Sequence, residues 1–138
     1  MAAVAVAGGG EVTGIIPRVL ADRGEAHAEL TALRVVDSMT ERKGMMASMS
    51  DAFVVLPGGV GTLEEFFEIW SWATLGLHQK PCGILNVENY YDPLIRFLDD
   101  AVARGFLKAK NRGRVLVDKS PDRLLDRLKR GRSPFSKT

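Results

Sequence analysis

Apolar and polar positions along the chain fall into two alternating patterns. Short apolar runs rich in β-branched residues occupy Glu11–Pro17 (EVTGIIP), Leu33–Asp37 (LRVVD), Ala52–Pro57 (AFVVLP), Cys82–Asn86 (CGILN) and Arg114–Asp118 (RVLVD). Longer stretches with helical spacing separate them: Ser38–Ser50, Thr62–Leu77, Tyr91–Gly105 and Ser120–Arg130. Unbroken apolar runs suit buried strands covered on both faces of a parallel sheet. The strand–helix alternation therefore predicts an α/β fold, Rossmann-like and doubly wound, with a mainly parallel sheet and helices on both faces. One domain over 1–138 is expected, with 131–138 as a flexible tail. Two helix starts carry their own signals. Ser38 is followed three residues on by Glu41, a capping-box spacing, and Pro121 suits a first helical position.

In sheets of this class ligands bind beyond the carboxyl ends of the strands, and Pro57–Glu65, PGGVGTLEE, stands at such an end. Gly58, Gly59 and Gly61 are expected to admit positive φ and to leave backbone N–H groups uncovered. With a helix starting at Thr62, those donors and the helix dipole form an anion site. No lysine follows the turn, so it is not the GxxxxGK[ST] phosphate loop, and the spacing falls short of GxGxxG. One phosphate, as in a nucleoside monophosphate, fits better than ATP or a dinucleotide.

Two readings of Glu65 stay open at this level. With Thr62 as N-cap, Thr-x-x-Glu is a capping box that stabilises the helix by about 1 kcal/mol. Alternatively, a carboxylate beside a bound phosphosugar stabilises an oxocarbenium-like transition state or orients water. Spacing alone slightly favours the cap. Glu64 is then solvated or faces a partner.

Upstream, Arg42 and Lys43 lie on the helix whose Met45, Met46 and Met49 are expected to face the core. They form either a solvated face or a phosphate-, base- or ribose-binding pair. Arginine's help would be electrostatic and positional, because its guanidinium keeps its proton. Gly44 in mid-helix costs roughly 1 kcal/mol relative to alanine, which calls for close packing or ligand approach. Of Trp70 and Trp72, which face different sides of their helix, one is expected in the core. His27 and His78 have no partners at metal-ligand spacing and read as surface or capping residues. Neither a metal site nor a Ser/His/Asp or Cys/His set is legible.

Composition adds exclusions. The 138 residues are 46% hydrophobic and 26% charged, with 19 basic and 17 acidic side chains, a balance that implies neither nucleic acid nor an anionic membrane as partner. Much of the positive excess lies in Arg127–Thr138, read as a solvated terminus. The single cysteine, Cys82, rules out an internal disulfide and reads as a buried structural thiol. No apolar segment has the length of a membrane span, and the Ala-rich start has no basic leader, so a cytoplasmic location is expected.

RKxxM (Arg42, Lys43, Met46) and PGGxGTxxE (Pro57 to Glu65) are both complete here. Together they resemble the paired signatures of the LOG (LONELY GUY) family of cytokinin riboside 5′-monophosphate phosphoribohydrolases, sometimes labelled lysine decarboxylases. The likeness continues through WATLGLHQKPCGILNVENYYDPLIRFLDDAV and covers about Val12 to Leu128. The sequence offers no recognisable pyridoxal-phosphate lysine motif. The resemblance implies hydrolysis of the N-glycosidic bond of an N6-substituted AMP, giving free base and ribose 5-phosphate. It makes Arg42 and Glu65 the catalytic pair. Gly58, Gly59, Val60, Gly61, Thr62, Leu63 and Glu64 would hold the phosphate and substrate, with Lys43, Ser71 and Glu25 in support. No metal or cofactor is implied, and a homodimer or larger homo-oligomer is. Ser71 stands where relatives usually carry threonine. Gly24 stands where an acidic contact is expected, with Glu25 one place later. Relatives begin with a further strand, helix and strand bearing a GGGxxGLM-type loop, of which MAAVAVAGGGEV resembles only the end of the following helix. A broader nucleoside-monophosphate glycosidase and a non-catalytic nucleotide-binding module are the alternatives.

Overall fold

The computed structural model of the protein describes residues 1–25 and 29–131. His27 and the tail beyond Gly131 lie outside the described residues. The chain divides into two compact units, Met1–Ser50 and Asp51–Thr138. All five strands form where the apolar runs predict them, every pair is parallel, and helices flank the sheets. The fold is α/β, with Rossmann-like parallel sheets.

The first unit contains α1 (Ala2–Ala7), β1 (Thr13–Pro17), α2 (Arg18–Ala21), β2 (Ala32–Val36) and α3 (Met39–Met49). β1 and β2 pair from Thr13↔Ala32 to Pro17↔Val36. Burial here is shallower than the sequence suggests. In β2 only Val36 is buried, at 2% exposure, whereas Leu33 and Val35 stay exposed at 43% and 42%. The reason is that a two-stranded ribbon presents two faces and α3 packs on one region of it. α3 itself has no fully buried residue, and Met49, expected in the core, is exposed.

The second unit holds the larger core. β3 (Phe53–Val55), β4 (Cys82–Leu85) and β5 (Val115–Asp118) form a sheet in the order β3-β4-β5. The register aligns Phe53 with Cys82 and Val115, and Val55 with Ile84 and Val117. Strand side chains alternate between faces, so these six residues share one face. On it pack α4 (Val60–Thr74) and α5 (Asp92–Ala103), whose Phe66, Trp70 and Leu98 join the same cluster. Ile84 at its centre is fully buried; truncating such a side chain to alanine typically costs 2–5 kcal/mol. Trp70 is the core tryptophan, and its indole N–H donates to the Asn111 carbonyl at 3.0 Å. Cys82 is buried as expected, and burial pushes its thiol up to about 12.

The opposite face is covered by α7 (Pro121–Arg130), which follows the short α6 (Ala109–Arg112) and β5. Gly83 belongs to this face. A Cβ there would come within 2.6 Å of Leu124, so glycine is what lets α7 seat against the sheet. Pro121 takes the expected first turn, and the Ser120 hydroxyl accepts from the Arg123 N–H. Arg123 also donates two hydrogen bonds to Asp118, which with the Ser120 N–H hold that carboxyl down at about 2.

α4 begins earlier than the sequence predicts. Its N-cap is Gly59, not Thr62, and its first backbone bond runs from the Leu63 N–H to the Gly59 carbonyl at 3.1 Å. Thr62 is therefore the third helical residue and Glu65 the sixth. The Thr-x-x-Glu capping box does not form, because a box needs its carboxylate at the third position.

Candidate functional site

The predicted site residues divide between the two units. Glu25, Arg42 and Lys43 lie in the first; Gly58 through Glu65 and Ser71 lie in the second.

In the first unit, α3 starts at the N-cap Ser38, whose hydroxyl accepts from the Glu41 N–H at 3.0 Å. Glu41 reaches back to the Asp37 N–H at 2.9 Å, one residue before the cap. This anchored start sets Arg42 one turn in, half-buried, with its Nε donating to the Ile15 carbonyl of β1 at 3.0 Å. A guanidinium fixed through Nε presents the rest of its planar fork in a defined direction. Lys43 beside it is also half-buried. Gly44 has open space where a Cβ would stand, so close packing within the protein does not explain it. Glu25 is exposed and follows Gly24, whose φ of +73° is a left-handed turn suited to glycine.

In the second unit, β3 runs into Leu56, Pro57 and the glycine turn. None of its three glycines has positive φ, contrary to the sequence expectation; Gly59 sits at φ −103°, ψ −148°. Gly58 serves close approach instead. A Cβ on Gly58 would collide with the Thr62 side chain, lying 2.8 Å from its Cβ. Gly59 and Gly61 have nothing within 4 Å of where a Cβ would be, so their backbone stands open. The N–H groups of Val60, Gly61 and Thr62 precede the first helical hydrogen bond, and Gly59 has no side chain to cap them. α4 thus presents a cluster of backbone donors at its positive end. Glu65 is half-buried and lies four residues after Gly61, on the same side of the helix. Glu64 and Ser71 are exposed, and Val60 is 84% exposed.

A second loop at the same end of the sheet braces this turn. After β4, Asn86 is buried at 3% exposure; it accepts from the Tyr91 N–H and donates to Asp92. The loop then makes a 3₁₀ turn, Val87–Asn89, before α5. From it the Tyr90 hydroxyl donates to the Gly58 carbonyl, and the Tyr91 hydroxyl donates to the Leu56 carbonyl, each at 2.7 Å. Burial, then the neighbouring Tyr90, pushes the Tyr91 phenol up, while a hydrogen bond from the Gly58 backbone pulls it down. Sequence reasoning missed this pair. Its signal was adjacent tyrosines, Tyr90 and Tyr91, just before the helix-starting Asp92-Pro93.

His78 has a structural role. Its Nδ1 accepts from the Lys80 N–H at 3.1 Å, which leaves Nε2 protonated to donate to the Ile69 carbonyl at 2.9 Å. A cavity of about 520 Å³ lies beside it, lined by Trp70, Cys82 and Arg114 among others. It opens at the amino ends of β4 and β5, opposite the glycine turn. Among the described residues no group of three His, Cys, Asp or Glu is placed to hold a metal ion, and no helix is long and apolar enough to cross a membrane.

Known proteins extend these observations. A family model described as "Possible lysine decarboxylase" matches residues 1–128. The chain is 48% identical over 120 residues to a protein from Rhodococcoides fascians named cytokinin riboside 5′-monophosphate phosphoribohydrolase, covering 86% of this chain and 61% of that one. It is 46% identical over 110 residues to the Oryza sativa subsp. japonica protein named cytokinin riboside 5′-monophosphate phosphoribohydrolase LOG, covering 80% and 45%. An Arabidopsis thaliana protein named for the same activity is 52% identical over 107 residues, covering 75% and 46%. The chain thus spans roughly half to three fifths of the length of these relatives. On the family match and both complete signatures, the chain belongs to the family that this model describes, the LOG family.

Proposed function

We propose that the chain carries the hydrolase site of a cytokinin riboside 5′-monophosphate phosphoribohydrolase. Its substrate is an N6-substituted AMP, and its products are the free base and ribose 5-phosphate. The observation that carries this reading is the uncapped start of α4, with Glu65 set one and a half turns beyond it. Six residues at 1.5 Å each place Glu65 ~9 Å along the axis from the N-cap. Helical side chains lean back toward the N-terminus. A 5′-phosphate resting on the N–H groups of Gly59, Val60, Gly61 and Thr62 would bring its ribose toward that carboxylate. The missing side chain of Gly61 leaves room for it.

In this mechanism Glu65 stabilises positive charge developing at ribose C1′ and orients the attacking water. The water oxygen bonds to C1′ as the C1′–N9 bond breaks; one water proton leaves the oxygen and the departing base takes up a proton. Arg42, fixed by the Ile15 carbonyl, adds electrostatic stabilisation without exchanging a proton. Lys43 and Glu25 assist binding, with Ser71 near the ligand. Homologue names support the substrate class, and the family resemblance supports a homodimer. The single, buried Cys82 fits a reducing cytoplasm.

Incubation with N6-isopentenyl-AMP, AMP and CMP side by side, followed by product analysis, tests the reading. Free base and ribose 5-phosphate should form fastest from the N6-modified nucleotide. Glu65→Gln should slow turnover by about 10²–10⁴-fold, the usual scale for a positioned catalytic carboxylate. Arg42→Ala should lose both turnover and stability, because it also removes the bond to Ile15. Unchanged turnover in both variants would overturn the assignment.

A further inference from the structure

We propose that Tyr90, supported by Tyr91, is a positioning residue that sets the direction of the Gly59 N–H and thereby holds the anion-binding turn ready. The inference rests on the phosphate-cradle reading of that turn. Its starting point is a backbone outlier. Glu88 (φ 49°) and Asn89 (φ 62°) are consecutive non-glycine residues in the left-handed region, and among the described residues no other non-glycine residue lies there. Such strain persists only where its surroundings enforce it, and it clusters at functional loops. Here the enforcing contacts are the two side-chain bonds of buried Asn86, together with the Asn86 N–H donating to the Asp118 carbonyl at 2.9 Å.

The strained loop delivers two hydroxyls to two carbonyls of the glycine turn, Tyr90 to Gly58 and Tyr91 to Leu56. The rings meet edge to face, with centroids 4.9 Å apart, so each limits the other's movement. The peptide between Gly58 and Gly59 is flanked by glycine on both sides, where rotating the whole unit meets little steric resistance. Its carbonyl and N–H point in opposite directions, because the peptide is planar and trans. Holding the Gly58 carbonyl on the tyrosine side therefore aims the Gly59 N–H away from it. Tyr90 is 54% exposed, so this bond, rather than core packing, gives its hydroxyl a role.

The test is Tyr90→Phe in the full chain, with Tyr91→Phe as a second variant. Amide hydrogen exchange and ¹⁵N relaxation at Gly59 and Gly61 report the turn directly, without any ligand. Both should show increased mobility in Tyr90→Phe, while the thermal transition stays close to wild type because the ring remains. Affinity for ribose 5-phosphate should fall about fivefold, the worth of one hydrogen bond, with affinity for ribose unchanged. Gly59 mobility equal to wild type, or an equal loss of both affinities, would overturn the proposal. Failure of the wild-type chain to cleave any nucleotide would count against the hydrolase reading alone, because the Gly59 measurement stands without turnover.

Discussion

The helices α3 and α4 carry the two signature motifs, and they begin in opposite ways. α3 closes its own start: Ser38 accepts from the Glu41 N–H, and Glu41 accepts from the Asp37 N–H. α4 opens on Gly59, which has no side chain to offer, and its first donors face a turn built of glycine. The two helices also differ in what holds them. α3 has no fully buried residue, so its cap contributes a large share of its definition. α4 buries Phe66, Ile69, Trp70 and Ala73, and can leave its first turn unsatisfied by its own side chains. A self-capped helix start is finished structurally. An uncapped start on a deeply packed helix leaves its first backbone donors without a side-chain acceptor of its own cap.

The sharpest way to break this comparison is to give α4 a cap. Gly59→Asp has room for its side chain, and a carboxylate at the N-cap would take the donors that the proposed function assigns to the phosphate. Turnover and ribose 5-phosphate affinity should fall by roughly 100-fold, the loss of two charge-assisted hydrogen bonds at about 1.5 kcal/mol each. Stability in urea should rise by about 0.5 kcal/mol at the same time. A variant that keeps its turnover would show that the helix start does not hold the substrate.

A smaller effect is expected at Gly58→Ala, where the added methyl meets Thr62 and the turn must shift. Overpacking of this kind costs about 1–3 kcal/mol, read as a lower urea midpoint at constant slope. If the midpoint does not move, the approach of Gly58 to Thr62 is not what glycine is there to permit. The smallest change is Ser38→Ala on α3. Loss of its cap should cost about 1 kcal/mol of stability, with ribose 5-phosphate affinity unchanged at the other helix start. An affinity loss as large as that of Gly59→Asp would erase the distinction between the two starts.

Much of this was legible in the chain. Five apolar runs gave five strands, because a buried parallel strand has to be apolar wherever it is covered. The Ser38 and Pro121 helix starts were readable, since capping is a local matter of a few residues. Glu65 was not. Thr62 and Glu65 have the spacing of a capping box, and the chain nevertheless starts its helix three residues earlier than that box requires. Glycine permits the helix to begin at Val60, and the side chains of Phe66 and Trp70 fix its position against the sheet. Tertiary packing thereby removed Glu65 from the cap.

The sequence by itself determined the α/β class, the order of the elements, the family signatures and the residues on which chemistry can be built. All of these rest on local periodicity or on fixed spacing. The tertiary structure decided which donors stay open, why Gly58 and Gly83 are needed and what braces the turn. Those depend on contacts between residues far apart in the chain, such as Tyr90 with Gly58 and Leu124 with Gly83, which no local pattern encodes.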